Sequence, residues 1–511
     1  MNFTPLARKI FAPQMRLTDY RNKSAEAMQR DELRRLLRLA ADTEIGRRGS
    51  FRALLDERNP ERRYAEALPM VKYEQIRGDV MRMLRGEVDV LWPGKCSDFA
   101  QSSGTSDGKS KYVPITREGL RMNHYRGGAD VVANYLRLVP ESRLFAGKSM
   151  ILGGSFANSL DFSRSGLCVG DLSATLINKV NPIANLFRIP SKKLALLSDW
   201  DEKLPALARA AMKADVTGIS GVPSWFLTVL LKIMELSGTE SILDVWPNLE
   251  VFFHGGISFD PYRSEYDRIT PQRRLHYLES YNASEGFFAV QNDFDDRAML
   301  LLVNAGVYFE LLDADGGAAA PVPAWEAEVG KVYELVISSL NGLWRYRLGD
   351  TVRVERTDPL KITMAGRTSS FINAFGEELM EANAERAMAE TCRKHGCSVK
   401  NYTAAPVYAS EGHRGRHEWL IEWMTPPADT EAFADSLDAS LRLLNSDYDA
   451  KRSGGIFLDR LSIIAAPAGL FELWLRHTGC GKLGGQRKIP RLSNNRDVIE
   501  SMLRLQEELT V

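Results

Sequence analysis

The 511-residue chain lacks several features that would each point to a function class. Its five cysteines, Cys96, Cys168, Cys392, Cys397 and Cys480, are an odd, sparse set with no CxxC and no paired Cys/His spacing. That excludes a disulfide framework and a zinc module, and it points to a reducing cytoplasm. No apolar run reaches the roughly 18 residues of a membrane span, and the Arg- and Lys-bearing start contains no signal-peptide core. Charge of either sign is not in excess: Lys plus Arg is 66 and Asp plus Glu is 66. No global field therefore favours nucleic acid or an anionic membrane, so neither is expected as a partner, and any anion must be held by a local site. Repeats and long low-complexity tracts are also missing.

What is present is ordinary globular composition, 44% hydrophobic and 26% charged. At roughly 150 residues per domain, the length allows about three units, or one large domain and a small one. Leu33, Leu36, Leu37 and Ala40 recur at helical spacing, so the stretch Ala25 to Leu55 predicts amphipathic helices. From Leu91 to Gly256 short apolar runs alternate with helical segments such as Leu204 to Ala214 and Trp225 to Leu236, the rhythm of an α/β domain. Between Leu275 and Thr363 the pattern predicts strands: Leu300 to Val303, Val307 to Leu312, Lys331 to Ser338 and Thr351 to Glu355. Asp313 to Pro323 reads as a solvent loop inside this β-rich subdomain. After Gly366-Arg367 the order becomes helix (Glu377 to Lys394), strand (Trp419 to Trp423), helix (Thr430 to Leu444), strand (Leu458 to Ala465) and helix (Asp497 to Leu509). The expected fold is α/β, with a large N-terminal domain over 1–366 that contains a β subdomain, and a small C-terminal α+β domain over 367–511.

Four segments carry chemistry. Gln101 to Lys111 (QSSGTSDGKSK) is a hydroxyl- and Gly-rich loop ending in lysine, which can wrap phosphate oxygens with backbone N–H groups. Its G-x-x-x-G-K-S is one residue short of a Walker loop, and a ligand-free turn is the plain alternative. Tyr277 to Gly286 (YLESYNASEG) ends a strand in a tyrosine and a carboxylate, where Glu285 could hold Mg²⁺ and Tyr281 could face a base. Trp344 to Asp350 (WRYRLGD) places Asp350 at a turn entering a strand, with Arg345 and Arg347 able to meet phosphate or carboxylate. Gly484 to Arg491 (GGQRKIPR) sets Lys488 on a basic loop that could neutralise developing negative charge. Each of the last three also reads as a plain surface turn.

In order and spacing these segments resemble the adenylate-forming acyl-activating enzymes, and most of all the auxin-responsive Gretchen Hagen three family of acyl-acid amido synthetases. The family's motifs look like Ser102 to Lys111, Tyr281 to Glu285 and Tyr346 to Asp350, with Gln486 to Arg491 as a further match. The resemblance implies that Ser102, Ser103, Gly104, Thr105, Ser106 and Lys111 surround the triphosphate of ATP. It further implies Mg²⁺ or phosphate at Glu285, the base at Tyr281, and the ribose at Asp350. Gly256 and Ile257, in Gly255-Gly-Ile-Ser258, resemble the turn beside the adenine. Arg367 resembles a hinge arginine that meets the nucleotide, and Lys488 the catalytic lysine of a C-terminal lid. The hinge and the stretch Asn373 to Leu379 depart from the plant enzymes towards the wider superfamily.

The implied reaction adenylates a small carboxylic acid and passes the acyl group to the amine of an amino acid, releasing AMP and pyrophosphate. Adenylation needs no covalent nucleophile, and no GxSxG elbow occurs; Gly218-Ile-Ser-Gly221 reads as a turn before the Pro223 helix. His413 and His417 lack the H-E-x-x-H pattern, His254 reads as packed or capped, and Cys392 and Cys397 read as packing residues. The acid's pocket is expected between Met122 and Phe226, with Tyr125, Phe156, Phe162 and Trp225 as walls. A monomer is expected. The alternatives are a thiol acceptor, coenzyme A or a carrier protein, and a catalytically silent nucleotide-binding protein.

Overall fold

A computed structural model describes residues 2–21, 24–102, 111–154, 156, 166–197, 200–256, 259–273, 275–314, 320–367, 371–372, 379–407, 415–445, 448–449, 452, 458–480, 489–493 and 495–510. The chain opens with helices. Ala25–Ala40 buries Leu33, Leu36, Leu37 and Ala40 completely, the stripe that its spacing predicts. Two strands follow as a hairpin, β1 (Asp98–Ser102) and β2 (Lys111–Pro114), whose last register pair is Ser102 with Lys111.

The parallel part of the main sheet comes next, as β3 (Lys148–Ile151), β5 (Arg188–Ile189), β6 (Val216–Gly221), β7 (Val251–Gly255) and β8 (His276–Ala283), while β4 (Cys168–Gly170) pairs with β1. Parallel strands covered on both faces read as apolar runs, and β7 is buried from Val251 to His254. The stretch Gly218 to Gly221, expected as a turn, is instead the last four residues of β6. Its glycines make room: a Cβ on Gly218 would meet Leu144 Cδ1 at 2.7 Å and one on Gly221 would meet Phe226 at 2.9 Å. The helix Pro223–Ser237 begins directly after it, with Pro at its first turn and left-handed Gly238 (φ 68°) closing its end.

The β-rich region forms β9 (Gly286–Gln291), β10 (Met299–Leu301), β11 (Val307–Asp313), β12 (Val322–Pro323), β13 (Val332–Ser339), β14 (Tyr346–Thr357) and β15 (Leu360–Arg367). These antiparallel strands extend the parallel ones into a single twelve-stranded sheet, ordered β12-β11-β13-β14-β15-β10-β9-β8-β7-β6-β3-β5. Their apolar residues share one core, in which Tyr281, Phe288, Phe309, Leu335, Tyr346 and Val352 are buried. Strand β14 starts at Tyr346, so Asp350 lies inside it rather than at a turn before it. The turn-like signal came from Gly349, at φ 82°, beside an irregular register at Thr351/Val352.

Beyond β15 the short pair β16 (Phe371–Ile372) and β17 (Leu379–Met380) leads to the helix Glu381–His395. A separate three-stranded sheet contains β18 (Ser398–Val407), β19 (Arg416–Thr425) and β20 (Ser462–Ala466) in that order. The helix Thr430–Leu444 runs as expected, capped by Asp429, which accepts from the N–H groups of Glu431 and Ala432. Strand β20 starts later than expected, with Leu458 in an isolated bridge to Gly415. The helix Asp497–Thr510 closes the described chain. The C-terminal region meets the N-terminal one where Tyr262, in the short 3₁₀ turn Asp260–Tyr262, accepts from Arg491 and donates to the Lys400 carbonyl of β18, and where Met424 of β19 packs against the core around Phe252.

Candidate functional site: the carboxyl ends of β7 and β8

In a parallel sheet, ligands sit beyond the carboxyl ends of the strands. At the end of β7 stands the Gly-Gly turn. A Cβ on Gly255 would lie 2.3 Å from the backbone oxygen of Ser280 on β8, and Gly256 takes φ 84°, a left-handed conformation suited to glycine. His254 just before it is buried against Phe259, ring centroids 4.4 Å apart, and burial pushes its pKa down to about 3. It is a neutral packed histidine at physiological pH, as expected.

At the end of β8, Ser284 and Glu285 make the two-residue turn into β9. Glu285 is only 8% exposed. Two asparagines hold this turn. Asn341 donates to the Glu285 carbonyl at 3.2 Å and accepts from Thr116 N–H at 3.1 Å. Asn123 clamps Phe287, donating to its carbonyl at 2.9 Å and accepting from its N–H at 2.7 Å. Asn123 sits on the π-helical turn Leu120–His124, a local widening often found beside functional sites.

Strands β8 and β14 are four steps apart in the sheet, roughly 19 Å if it were flat. Yet the Tyr281 hydroxyl donates to Asp350 Oδ2 at 2.6 Å. The antiparallel half therefore curls until β14 faces β8, bringing together the second and third motifs. The Tyr346 hydroxyl is buried and has no hydrogen-bond partner among the described residues; burial first and the Glu285 carboxylate second push its pKa up. Lys111 lies over the ring of Tyr73, 5.9 Å from its centroid, and Tyr73 Oη accepts from Tyr112 N–H at 2.8 Å. The first motif's downstream end is thus fastened to the helix Tyr73–Leu84.

Of the expected site residues, Gly256, Tyr281, Glu285 and Asp350 fall at or near these strand ends, and Lys111 starts β2 over the Tyr73 ring. Ser102 and Arg367 are placed by backbone only; Arg367 is the register partner of Asp350. Ser103, Gly104, Thr105, Ser106, Ile257 and Lys488 lie outside the described residues, as do Phe162 and His413. Arg345 and Arg347, read as possible anion ligands, meet internal carboxylates instead. Arg345 pairs with Glu310 at 2.9 Å and Arg347 with Glu334 at 2.5 Å. Tyr73, Asn123 and Asn341 were missed because none belongs to a motif; only distant register brings them to the site. Tyr125 donates to the Leu176 carbonyl and, with Gln14, Arg121, Met122, Arg126 and Ala129, lines an open groove of about 360 Å³.

Among the described residues no group of three or more His, Cys, Asp or Glu side chains converges. The Glu285 carboxylate, whose charge reaches the orphaned buried Tyr346 hydroxyl, fits Mg²⁺, an ion that keeps several waters and takes its other ligands from phosphates.

Comparison with known proteins decides the family. The GH3 family N-terminal domain matches residues 16–275, more than half of the chain, the central domain matches 300–367 and the C-terminal domain 382–497. The chain belongs to the GH3 family. This GH3 protein is 24% identical to indole-3-acetic acid-amido synthetase GH3.4 of Arabidopsis thaliana, over 92% of this chain and 89% of that one. It is 22% identical to jasmonoyl–L-amino acid synthetase JAR6 of Nicotiana attenuata, over 92% and 91%. Its fold is that of the solved GH3.15 acyl acid amido synthetase, with a TM-score of 0.78 at 19% identity over 97% of this chain and 95% of that one. A 2-hydroxyisobutyryl-CoA ligase in its postadenylation state shares the fold more distantly, with a TM-score of 0.59 at 11% identity over 94% and 92%. The GH3 protein therefore has the mixed α/β architecture of acyl-adenylate ligases.

Proposed function

We propose that this protein is an ATP-dependent acyl-acid amido synthetase, a carbon–nitrogen ligase that joins a small carboxylic acid to an amino acid through an acyl-adenylate. One observation carries the reading: the Tyr281–Asp350 hydrogen bond joins two nucleotide motifs beside the Glu285 turn, in a chain of the GH3 family. In this reading residues 1–366 bind ATP and acid, and residues 367–511 form the lid. Asp350 accepts the ribose hydroxyls, Tyr281 orients it and borders the base, and Gly256 and Ile257 shape the adenine turn. Ser102, Ser103, Gly104, Thr105, Ser106 and Lys111 hold the triphosphate, and Arg367 meets the nucleotide.

A carboxylate is a poor electrophile, and two anions must approach each other before the acid can attack the α-phosphorus. Lys111 and Lys488 neutralise that repulsion, with Lys488 placed on the phosphorane-like charge. Mg²⁺, held by Glu285, would screen the phosphates and favour departure of pyrophosphate. The amino acid's amine then attacks the acyl carbonyl and AMP leaves. The enzyme acts as a cytoplasmic monomer.

The test is a product assay. Purified protein is incubated with Mg-ATP, a mixture of aryl and aliphatic acids and the common amino acids, and mass spectrometry reads nucleotides and amides. AMP with an acyl-amino-acid mass supports the reading. AMP formed only with a thiol acceptor moves the enzyme to thioester formation, and the absence of AMP with every acid refutes adenylation.

A further inference from the structure

Five of the eleven large hydrophobic side chains that stand exposed among the described residues gather on one face. Phe3, Leu6 and Ile10, at helical spacing along Thr4–Arg21, are 38, 56 and 63% exposed, and Ile183 and Leu186 of the 3₁₀ turn Pro182–Phe187 are 66 and 63% exposed. The two segments are one surface. Phe3 N–H donates to the Phe145 carbonyl at 3.1 Å, and the Phe187 ring meets both Phe3 and Phe145 edge-on, with centroids 5.6 Å away in each case. The inner aromatic contacts thus fix the outer aliphatic ones in place. Isolated apolar side chains on a surface are ordinary, but a cluster like this one marks an interaction site.

Charge says what covers it. In a chain balanced at 66 and 66, the stretches 2–18 and 172–197 contain seven basic residues, Arg8, Lys9, Arg16, Lys179, Arg188, Lys192 and Lys193, and no acid, with Asp19, Asp171 and Asp199 flanking them. Arg8 is spent on the carbonyls of Val139 and Pro140, Arg188 on Asn185 and Lys179 on Asp98. Lys9, Arg16 and Lys193 remain exposed, as does Lys192, which donates to the Asn178 carbonyl at 2.8 Å. A second copy of this chain would bring the same cations against themselves, so self-pairing through this face is opposed by like charge. An apolar stripe with a predominantly basic border matches a lipid surface carrying anionic headgroups.

We propose that this face, built by Thr4–Arg21 and Pro182–Phe187, docks the protein reversibly onto an anionic bilayer surface. Phe3, Leu6, Ile10, Ile183 and Leu186 enter the headgroup boundary, and the four exposed cations lie over the lipid phosphates. No helix among the described residues is long and apolar enough to cross a membrane, so the contact is peripheral. Residues 2–15 precede the part matched to the GH3 N-terminal domain, and the proposal stands independently of the ligase reading.

The test is flotation of the full chain with vesicles of phosphatidylcholine alone or with 30 mol% phosphatidylserine, in roughly 0.05 and 0.5 M salt. Wild type should float with the anionic vesicles at least roughly tenfold more than with the neutral ones, and high salt should release it. Reversing one exposed lysine should cost roughly fivefold, and Lys9→Glu/Lys192→Glu/Lys193→Glu should abolish flotation. Leu6→Ser/Ile10→Ser, at exposed positions where unfolding is not expected, should reduce it by roughly tenfold with an unchanged melting temperature. Absence of flotation, equal flotation with both vesicles, or a concentration-dependent dimer in sedimentation that Leu6→Ser/Ile10→Ser dissociates would each overturn the proposal.

Discussion

Replacing Glu310 by Gln is a sharp test of how the twelve-stranded sheet is held. Arg345 is 4% exposed and Glu310 3%, and the guanidinium donates to both carboxylate oxygens at 2.9 Å. Its remaining nitrogen donates to the carbonyls of Ala65 and Leu68 at 2.7 and 2.6 Å, so the pair also ties down the end of the helix Pro60–Ala67. Arg345 itself has φ 45°, a strained conformation that persists because these contacts over-determine it. Glu310→Gln preserves the volume but leaves a buried cation with neutral acceptors, one of them an amide that can present N–H to N–H. Breaking a buried pair from one side costs about 3–5 kcal/mol. Urea unfolding should show that loss, and amide exchange should accelerate over residues 60–68. Glu310→Met/Arg345→Met should recover part of the loss, giving a coupling energy above about 2 kcal/mol in the cycle. A Glu310→Gln protein within about 1 kcal/mol of wild type, with normal exchange at 60–68, would refute the reasoning.

Tyr281→Phe removes a donor to the Asp350 carboxylate, a charged hydrogen bond worth about 1.5–3 kcal/mol, so calorimetric ATP affinity should fall roughly tenfold or more while the fold is retained. Gly255→Ala would push a Cβ to within 2.3 Å of the Ser280 carbonyl and should lower stability by about 1–3 kcal/mol in thermal unfolding, since backbone rather than a side-chain tip must move. Burial, with the nearby Asp260 charge, pushes Glu279 up to about 7. Its folded pKa lies above the unfolded value, so its contribution is fully present below about pH 4.5 and is lost as pH rises through about 7. Glu279→Gln should flatten that part of the stability–pH curve by up to about 3 kcal/mol, and an unchanged slope between pH 5 and 7 would count against the assignment. Lys488→Ala should slow ATP–pyrophosphate exchange by at least about 100-fold, with ATP still bound.

Much of the molecule was legible because its signals are local. The stripe Leu33, Leu36, Leu37 and Ala40 marked a helix, and the span Thr430–Leu444 was read to the residue. Where the reading slipped, a local signal had two meanings. Gly349 before Asp350 looks like a turn, yet it serves a left-handed kink within β14. The glycines of Gly218-Ile-Ser-Gly221 also look like a turn, but they are small because Leu144 and Phe226 crowd them inside the sheet. Arg345 and Arg347 looked like ligands for an anion because their carboxylates, Glu310 and Glu334, belong to other strands.

The sequence by itself determined the periodicities, the caps and the order of the four chemistry-bearing segments, and through them the α/β class and the resemblance to the GH3 family. These follow from backbone conformation and side-chain type within a few residues. Only the tertiary structure decided that Tyr281 meets Asp350, that Asn123 and Asn341 grip the Glu285 turn, and that a chain of zero net charge gathers exposed apolar side chains on a predominantly basic face. Each depends on how far the sheet curls and on which segments pack side by side, and curvature and packing are set by contacts between residues tens to hundreds of positions apart.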